Sequence, residues 1–180
     1  KKAGKYKLDY CWGEAGFNCI AKYGTNVPPQ TIDILKTTAA CLKGPMTTPE
    51  EPGAPPSAAF TIRSLFNLYA NVRPCHSLPN VPSLKPNIDL VVVRENTEGL
   101  YSGIEFELGN ETAVAMRVIS RKASERIARF AFRLAAERRK RLAYVHKANI
   151  LRRTDGIFNQ AVLQVAKEFP TVSVAGYHIN

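Results

Sequence analysis

The sequence predicts an α/β fold, on three observations. Short apolar runs rich in β-branched residues alternate along the chain with longer segments of helical periodicity, the pattern of strands joined by helices. The clearest run, IDLVVVRE at 88–95, reads as a strand buried on both faces. The clearest helical segment starts at Ser120 or Arg121, runs for about 18 residues, and puts Ile127, Phe130, Ala131 and Leu134 on one side.

The remaining elements follow in order. KLDYCW at 7–12 is predicted as a strand ended by GEAGF, and PQTIDILKTTAA at 29–40 as a helix with its proline early and Ile32, Leu35 and Ala39 in helical register. ACLKGP at 40–45 reads as a short strand running into a turn. TTPEEPGAPPSAA at 47–59 holds four prolines and a glycine, so it reads as a solvent-facing loop. FTIRSLFNLYA at 60–70 is predicted helical, with Ile62, Leu65, Phe66 and Tyr69 on one side. The four prolines of 71–87 predict an irregular connection. After the strand at 88–95, residues 96–120 alternate apolar and polar types around LGNET, which predicts a hairpin or arm. Beyond the long helix, 141–149 begins as a buried strand, 154–169 is a helix capped by Thr154 or Asp155, and 171–179 is a last strand.

Composition narrows the functional classes. The 180 residues are 45% hydrophobic, enough for a core and too many for a disordered chain. No apolar run reaches the roughly 20 residues that span a bilayer, so no membrane role is expected. KKAGKYKLDY has no apolar stretch behind its charges and does not read as a secretory signal; it also lacks an initiator Met, so the natural start is expected upstream. Cys11, Cys19, Cys41 and Cys75 include no CxxC pair, and His76, His146 and His178 are scattered. A structural zinc site is therefore not expected, and the cysteines read as reduced thiols of a reducing compartment. The net charge of +10 centres on RFAFRLAAERRKRLAYVHK at 129–147. Such a run can bind a nucleic-acid backbone, but it reads better as a solvated helix face, or as the basic share of a longer protein.

Three clusters carry chemistry. VRENTEGLYSG at 93–103 sets Arg, Glu, Asn and Tyr just past a buried strand, the position where open α/β sheets bind ligands. HKAN at 146–149 brings Lys147 to the end of the next strand, and Arg63 and Arg73 flank a short helix. Arginine forks bind carboxylates in bidentate fashion, tyrosine can protonate a carbanion, and a lysine can accept a hydroxyl proton. The set suits a polyanionic carboxylate substrate with proton transfer. Against this, Lys and Arg are 25 of 180 residues, so surface arginines near strand ends need no function, and a tyrosine after a strand commonly packs. The residues alone name no reaction.

KGPMTTP, LYANVRPC, VRENTEGLYSG and HKANILRRTDG stand in an order and at separations that resemble the metal-dependent β-decarboxylating dehydrogenases, the family of isocitrate, homoisocitrate and 3-isopropylmalate dehydrogenases. The resemblance runs from about Leu8 to Ile179. NTEGLYSGIE and LYANVRPC look most like the NAD-dependent isocitrate enzymes, with homoisocitrate dehydrogenases the nearest competitor. It implies an isocitrate/isopropylmalate dehydrogenase-like fold with part of a large cofactor domain at 1–68 and most of a small substrate and dimerisation domain at 69–180. The hairpin at 104–119 resembles the arm that interlocks two subunits.

By the resemblance, Arg63, Arg73 and Arg94 match the arginines that hold the malate-like carboxylates, and Ser57 matches a serine on the remaining carboxylate. Thr47, Thr48 and Asn149 match positions at the nicotinamide end of the cofactor. Tyr101 matches the catalytic tyrosine and Lys147 the catalytic lysine, which in this family reaches the site from a partner subunit. The implied partners are a small 2-hydroxy acid and a homodimer or hetero-oligomer that shares active sites; the implied location is the cytoplasm or the mitochondrial matrix.

The implied reaction transfers hydride from C2 of the substrate to NAD, or NADP, as Lys147 takes the hydroxyl proton. The β-carboxylate then leaves as carbon dioxide, with Mg or Mn stabilising the enolate, and Tyr101 protonates the carbon. No metal ligand is assigned in this sequence: Asn180 falls where the family has a metal-site aspartate, and an amide is a weaker ligand for a hard cation. Ala59 stands where several isocitrate enzymes have a polar cofactor contact. Family members run to well over 300 residues, so these 180 are expected to act within a longer or multi-chain enzyme and not to turn over alone. The alternatives are a non-catalytic regulatory or structural subunit of the same descent, or a homoisocitrate dehydrogenase.

Overall fold

The computed structural model describes residues 8–47 and 54–179. Thr48 and Asn180 lie outside them. The chain divides into two units at Asn67/Leu68.

Among the described residues the first unit holds three helices. α1 (Asn18–Tyr23) buries Cys19 and stops at Gly24, whose left-handed backbone gives its N–H to the Ile20 carbonyl. α2 (Pro29–Thr37) has proline at its first position, where a missing N–H costs nothing. α3 (Ala58–Leu65) starts earlier than its apolar pattern predicts. The Ser57 hydroxyl caps it by accepting the Phe60 N–H at 3.1 Å, and its last turn gives way to Asn67 at φ 48°. Asn26 ties this helix start down, donating to the Pro56 carbonyl at 2.5 Å and to the Thr61 hydroxyl at 3.1 Å.

Two predicted strands of this unit do not form. Among the described residues neither 8–12 nor 40–45 pairs with another segment, and a strand without a ladder partner leaves its backbone unsatisfied. Tyr10, Trp12 and Leu42 are correspondingly exposed. The short helix α1 follows GEAGF, in a stretch for which the sequence predicts no element.

Among the described residues the second unit has three two-stranded sheets and two long helices. β1 (Ala70–His76) and β2 (Asp89–Glu95) are antiparallel, with Asn71 opposite Arg94 and Arg73 opposite Val92. β1 replaces part of the predicted irregular connection. Its one proline, Pro74, is tolerated because β1 has a neighbour on one side only. β2 is not buried on both faces: Leu90 and Val92 remain about half exposed while Val91 and Val93 are more covered, an alternation that fits a sheet packed on one side by a helix. β3 (Glu105–Glu107) and β4 (Ala113–Ala115) form a hairpin whose apolar side chains Phe106 and Leu108 are exposed.

α4 (Arg121–Glu137) packs against β2, β5 and α5. β5 (Arg141–His146), α5 (Thr154–Ala166) and β6 (Ser173–His178) make a parallel strand–helix–strand unit in which Arg141 lies opposite Ser173. The core lies between the two helices: Phe132 is fully buried and stacks on Phe169 at 5.4 Å, with Ala128, Val162, Val165 and Val172 around it. The predicted cap of α5 is displaced. Arg153 occupies the cap position without a side-chain bond, and the Asp155 carboxylate is engaged elsewhere. The four cysteines are free, and no helix of the described residues is long and apolar enough to cross a membrane.

Candidate active site

β2 ends at Glu95, and the next eight residues fold into a loop held at both ends. The Glu95 carboxylate accepts from the Thr97 and Glu98 N–H groups, both at 2.7 Å, from the Thr97 hydroxyl at 2.6 Å and from Arg126 at 3.2 Å. Burial acts to raise its pKa, but these donors outweigh burial and hold the carboxyl below the usual carboxylate range. Arg126 also lies over the Tyr69 ring at 4.3 Å.

Glu98 fixes the loop to the start of α4. Its carboxylate accepts the Ser120 N–H at 2.7 Å and the Ser120 hydroxyl at 2.6 Å, while the same hydroxyl caps the helix through the Ala123 N–H at 3.1 Å. This is capping-box chemistry with the acid supplied from outside the helix. Gly99 bridges to Val118 at φ 73°, ψ −135°, a backbone conformation open in practice to glycine alone. Tyr101 therefore sits on a single 3-10 turn (Leu100–Ser102) whose approach is fixed by Glu98 and Gly99.

The structure brings Arg94 and Tyr101 together. The Arg94 guanidinium lies over the Tyr101 ring at 5.2 Å and donates to the Asn96 Oδ1 at 3.1 Å, and its Nε is buried without an acceptor among the described residues. Both residues line a cavity of about 420 Å³ with Glu98, Arg117, Asp155 and Phe158. A buried guanidinium donor in a cavity, with a phenol at its side, is suited to a carboxylate ligand that has a proton acceptor nearby.

Arg73 shares a face of the β1–β2 ribbon with Arg94, since Asn71 is opposite Arg94 and Arg73 is two residues along. Each arginine is held by an asparagine two residues away along the chain: Arg73 Nε donates to Asn71 Oδ1 at 3.0 Å within β1, and Arg94 Nη2 to Asn96 Oδ1 just past the end of β2. Arg73 is exposed and does not line the cavity. Neither does Lys147, whose ammonium donates to the Ile179 carbonyl at the end of β6. Asn149 is exposed two residues on.

Ser57, Arg63 and Thr47 belong to the first unit. Ser57 is the α3 cap, Arg63 is half-buried in the last turn of that helix, and Thr47 is exposed. Sequence reasoning missed Asn71, Arg117 and Asp155 at the site, and placed Asn96 in the VRENTEGLYSG cluster without a role. The asparagines had a legible signal, namely an amide two positions from each arginine. Arg117 and Asp155 had none, because 38 residues separate two groups that meet only in the fold.

The chain is similar to known dehydrogenases along its length. Residues 1–179 match the isocitrate/isopropylmalate dehydrogenase family. A 3-isopropylmalate dehydrogenase of Methanothermobacter thermautotrophicus is 42% identical over 96% of this chain and 51% of its own length. A homoisocitrate dehydrogenase of Methanocaldococcus jannaschii is 44% identical over 87% of this chain and 49% of its own. The crystal structure of isocitrate dehydrogenase from Methylococcus capsulatus superposes with a TM-score of 0.83 at 41% identity, over 91% of this chain and 50% of that one. The chain thus spans about half the length of the relatives it matches. From end to end of that span, this chain belongs to the isocitrate/isopropylmalate dehydrogenase family.

Proposed function

We propose that the chain supplies the carboxylate-binding and acid/base groups of an NAD(P)-dependent enzyme that oxidatively decarboxylates a 2-hydroxy acid, with isocitrate, converted to 2-oxoglutarate, as the substrate. The Arg94–Tyr101 pair carries the proposal: a guanidinium with an unengaged buried donor lies 5.2 Å from a phenol ring in one cavity. Members of the family are oxidoreductases that generally use NAD(P) and a divalent metal.

In this reading Arg63, Arg73 and Arg94 bind the substrate carboxylates and Ser57 donates its hydroxyl proton to one of them. That donation is compatible with its cap, because the cap uses an oxygen lone pair and leaves the proton free. Thr47, Thr48 and Asn149 offer hydroxyl and amide groups to the carboxamide end of a nicotinamide, which when bound supplies the hydride acceptor. Lys147 takes the substrate hydroxyl proton, directly or through water, as hydride leaves C2. The β-carboxylate departs as carbon dioxide, and Tyr101 Oη gives its proton to the carbon that carried it, to be reprotonated from solvent. Among the described residues no three His, Cys, Asp or Glu side chains converge as a metal ion requires, so these residues do not fit a metal site of their own and no step is derived through a metal.

The relatives named for 3-isopropylmalate and homoisocitrate support a second reading, in which the same groups act on one of those acids. The test is turnover of isocitrate, homoisocitrate and 3-isopropylmalate by the assembled enzyme, each with NAD and with NADP in the presence of Mn. The highest kcat/KM is expected for isocitrate. Preference for another of the three moves the substrate but keeps the chemistry; no turnover of any leaves the non-catalytic subunit.

A further inference from the structure

We propose that Asp155 is a positioning residue that fixes the backbone of Lys147 and couples it to Arg117. The inference rests on the reading of Lys147 as the proton acceptor. Asp155 lies in the first turn of α5 and is 3% exposed, so both carboxylate oxygens need partners inside the protein. One oxygen accepts from Arg117 Nη1. The other accepts the backbone N–H of Lys147 at 2.5 Å.

The rest of the Lys147 peptide is equally committed. Its carbonyl accepts the N–H groups of Ile150 at 3.0 Å and Leu151 at 2.8 Å, and the Leu151 carbonyl accepts the Asp155 N–H at 3.0 Å. The turn from β5 into α5 is therefore closed on itself, and the Asp155 carboxylate holds the Lys147 N–H in it. This arrangement sets the point from which the Lys147 side chain departs and leaves its motion to the side-chain torsions. Arg117 also lines the cavity that contains Arg94 and Tyr101, so the turn is tied to one wall of that cavity. Helix α5 adds a favourable term, because a carboxylate in the first turn lies at the positive end of the helix dipole.

Asp155 lines the cavity, but its two carboxylate oxygens are engaged by Arg117 and the Lys147 N–H and not by substrate. It acts on the angle at which Lys147 is presented, and a misplacement on the order of 1 Å from a distant mutation costs about 100-fold in rate. In the assembled enzyme, Asp155→Ala is expected to lower kcat about 100-fold while KM stays within about twofold. Asp155→Asn keeps an acceptor for the Lys147 N–H and should recover about tenfold of that loss. The readout that needs no activity is the Lys147 amide proton in a 1H–15N spectrum. It should lie downfield in the unaltered protein and move upfield in Asp155→Asn, while the amides of Ile150 and Leu151 hold their positions.

Should Asp155→Ala fail to fold, Asp155→Asn carries both readouts. Unaltered kcat in either variant overturns the proposal, and so does a Lys147 amide that does not move. Losses of kcat that track a falling thermal midpoint also overturn it, because they mark a merely structural residue. Lys147→Met separates this inference from the reading beneath it: hydride transfer surviving that substitution removes Lys147 as the acceptor, whereas the amide shift reports on Asp155 in either case.

Discussion

Arg94→Ala tests the carboxylate-binding half of the site. In the structure the guanidinium gives one hydrogen bond to Asn96 Oδ1 at 3.1 Å and packs over Tyr101 at 5.2 Å, and its buried Nε has no acceptor among the described residues. A substrate carboxylate that accepts from it gains a charge-assisted hydrogen bond of about 1.5–3 kcal/mol, which corresponds to roughly 10- to 160-fold in kcat/KM. The cost to folding is of similar size. It comprises the ring contact, about 0.5–1 kcal/mol, and the unpaired Asn96 oxygen, about 1 kcal/mol or more. Arg94→Lys is the control, because it keeps the charge but neither the planar fork nor its stacking, and it should fall between the two. Steady-state kinetics of the assembled enzyme, paired with thermal melts, separates the effects. A kcat/KM unchanged in Arg94→Ala, with the protein folded, would refute the assignment of Arg94 to the substrate.

Two further perturbations probe the scaffold that holds this site. Phe132 is fully buried and stacked on Phe169, so Phe132→Ala should cost about 3–5 kcal/mol of unfolding free energy in urea, and a loss below about 1 kcal/mol would contradict the placement of the core. Glu95 has a folded pKa below its ordinary 4.5, so its contribution is complete above that value and is lost as pH falls through the folded one. The stability gap between the natural chain and Glu95→Gln should therefore be full at neutral pH and close on acidification; a gap independent of pH would contradict the hydrogen-bond set drawn around Glu95.

Most of the second unit was legible because its elements carry their own signals. α4 announces itself through Ser120 and a sustained apolar stripe, and β2 through a β-branched run. The first unit was less legible. LDYCW and CLKG have strand-like composition, but a strand exists only through a partner, and pairing is a long-range property that composition does not encode. β1 was hidden because the four prolines of 71–87 read together as an irregular connection, although only Pro74 falls inside the strand and an edge position tolerates it. At the site, Arg94 and Tyr101 could be found because they lie seven residues apart in one motif. The Arg117–Asp155–Lys147 link could not, since TDG reads locally as a helix start and its carboxylate is claimed by a strand end and an arginine from elsewhere in the chain.

The central claim is that Lys147 and Tyr101 serve different proton transfers of one reaction, and partial reactions of the assembled enzyme test it directly. Tyr101→Phe should slow overall oxidative decarboxylation yet still reduce an added 2-keto acid without decarboxylating it, because the phenol proton is needed only after the carboxylate has left. Lys147→Met should lose hydride transfer itself, since the hydroxyl proton then has no acceptor. Separable losses of this kind are the predicted result; equal loss of both partial reactions in both variants would contradict the division of labour between the two residues.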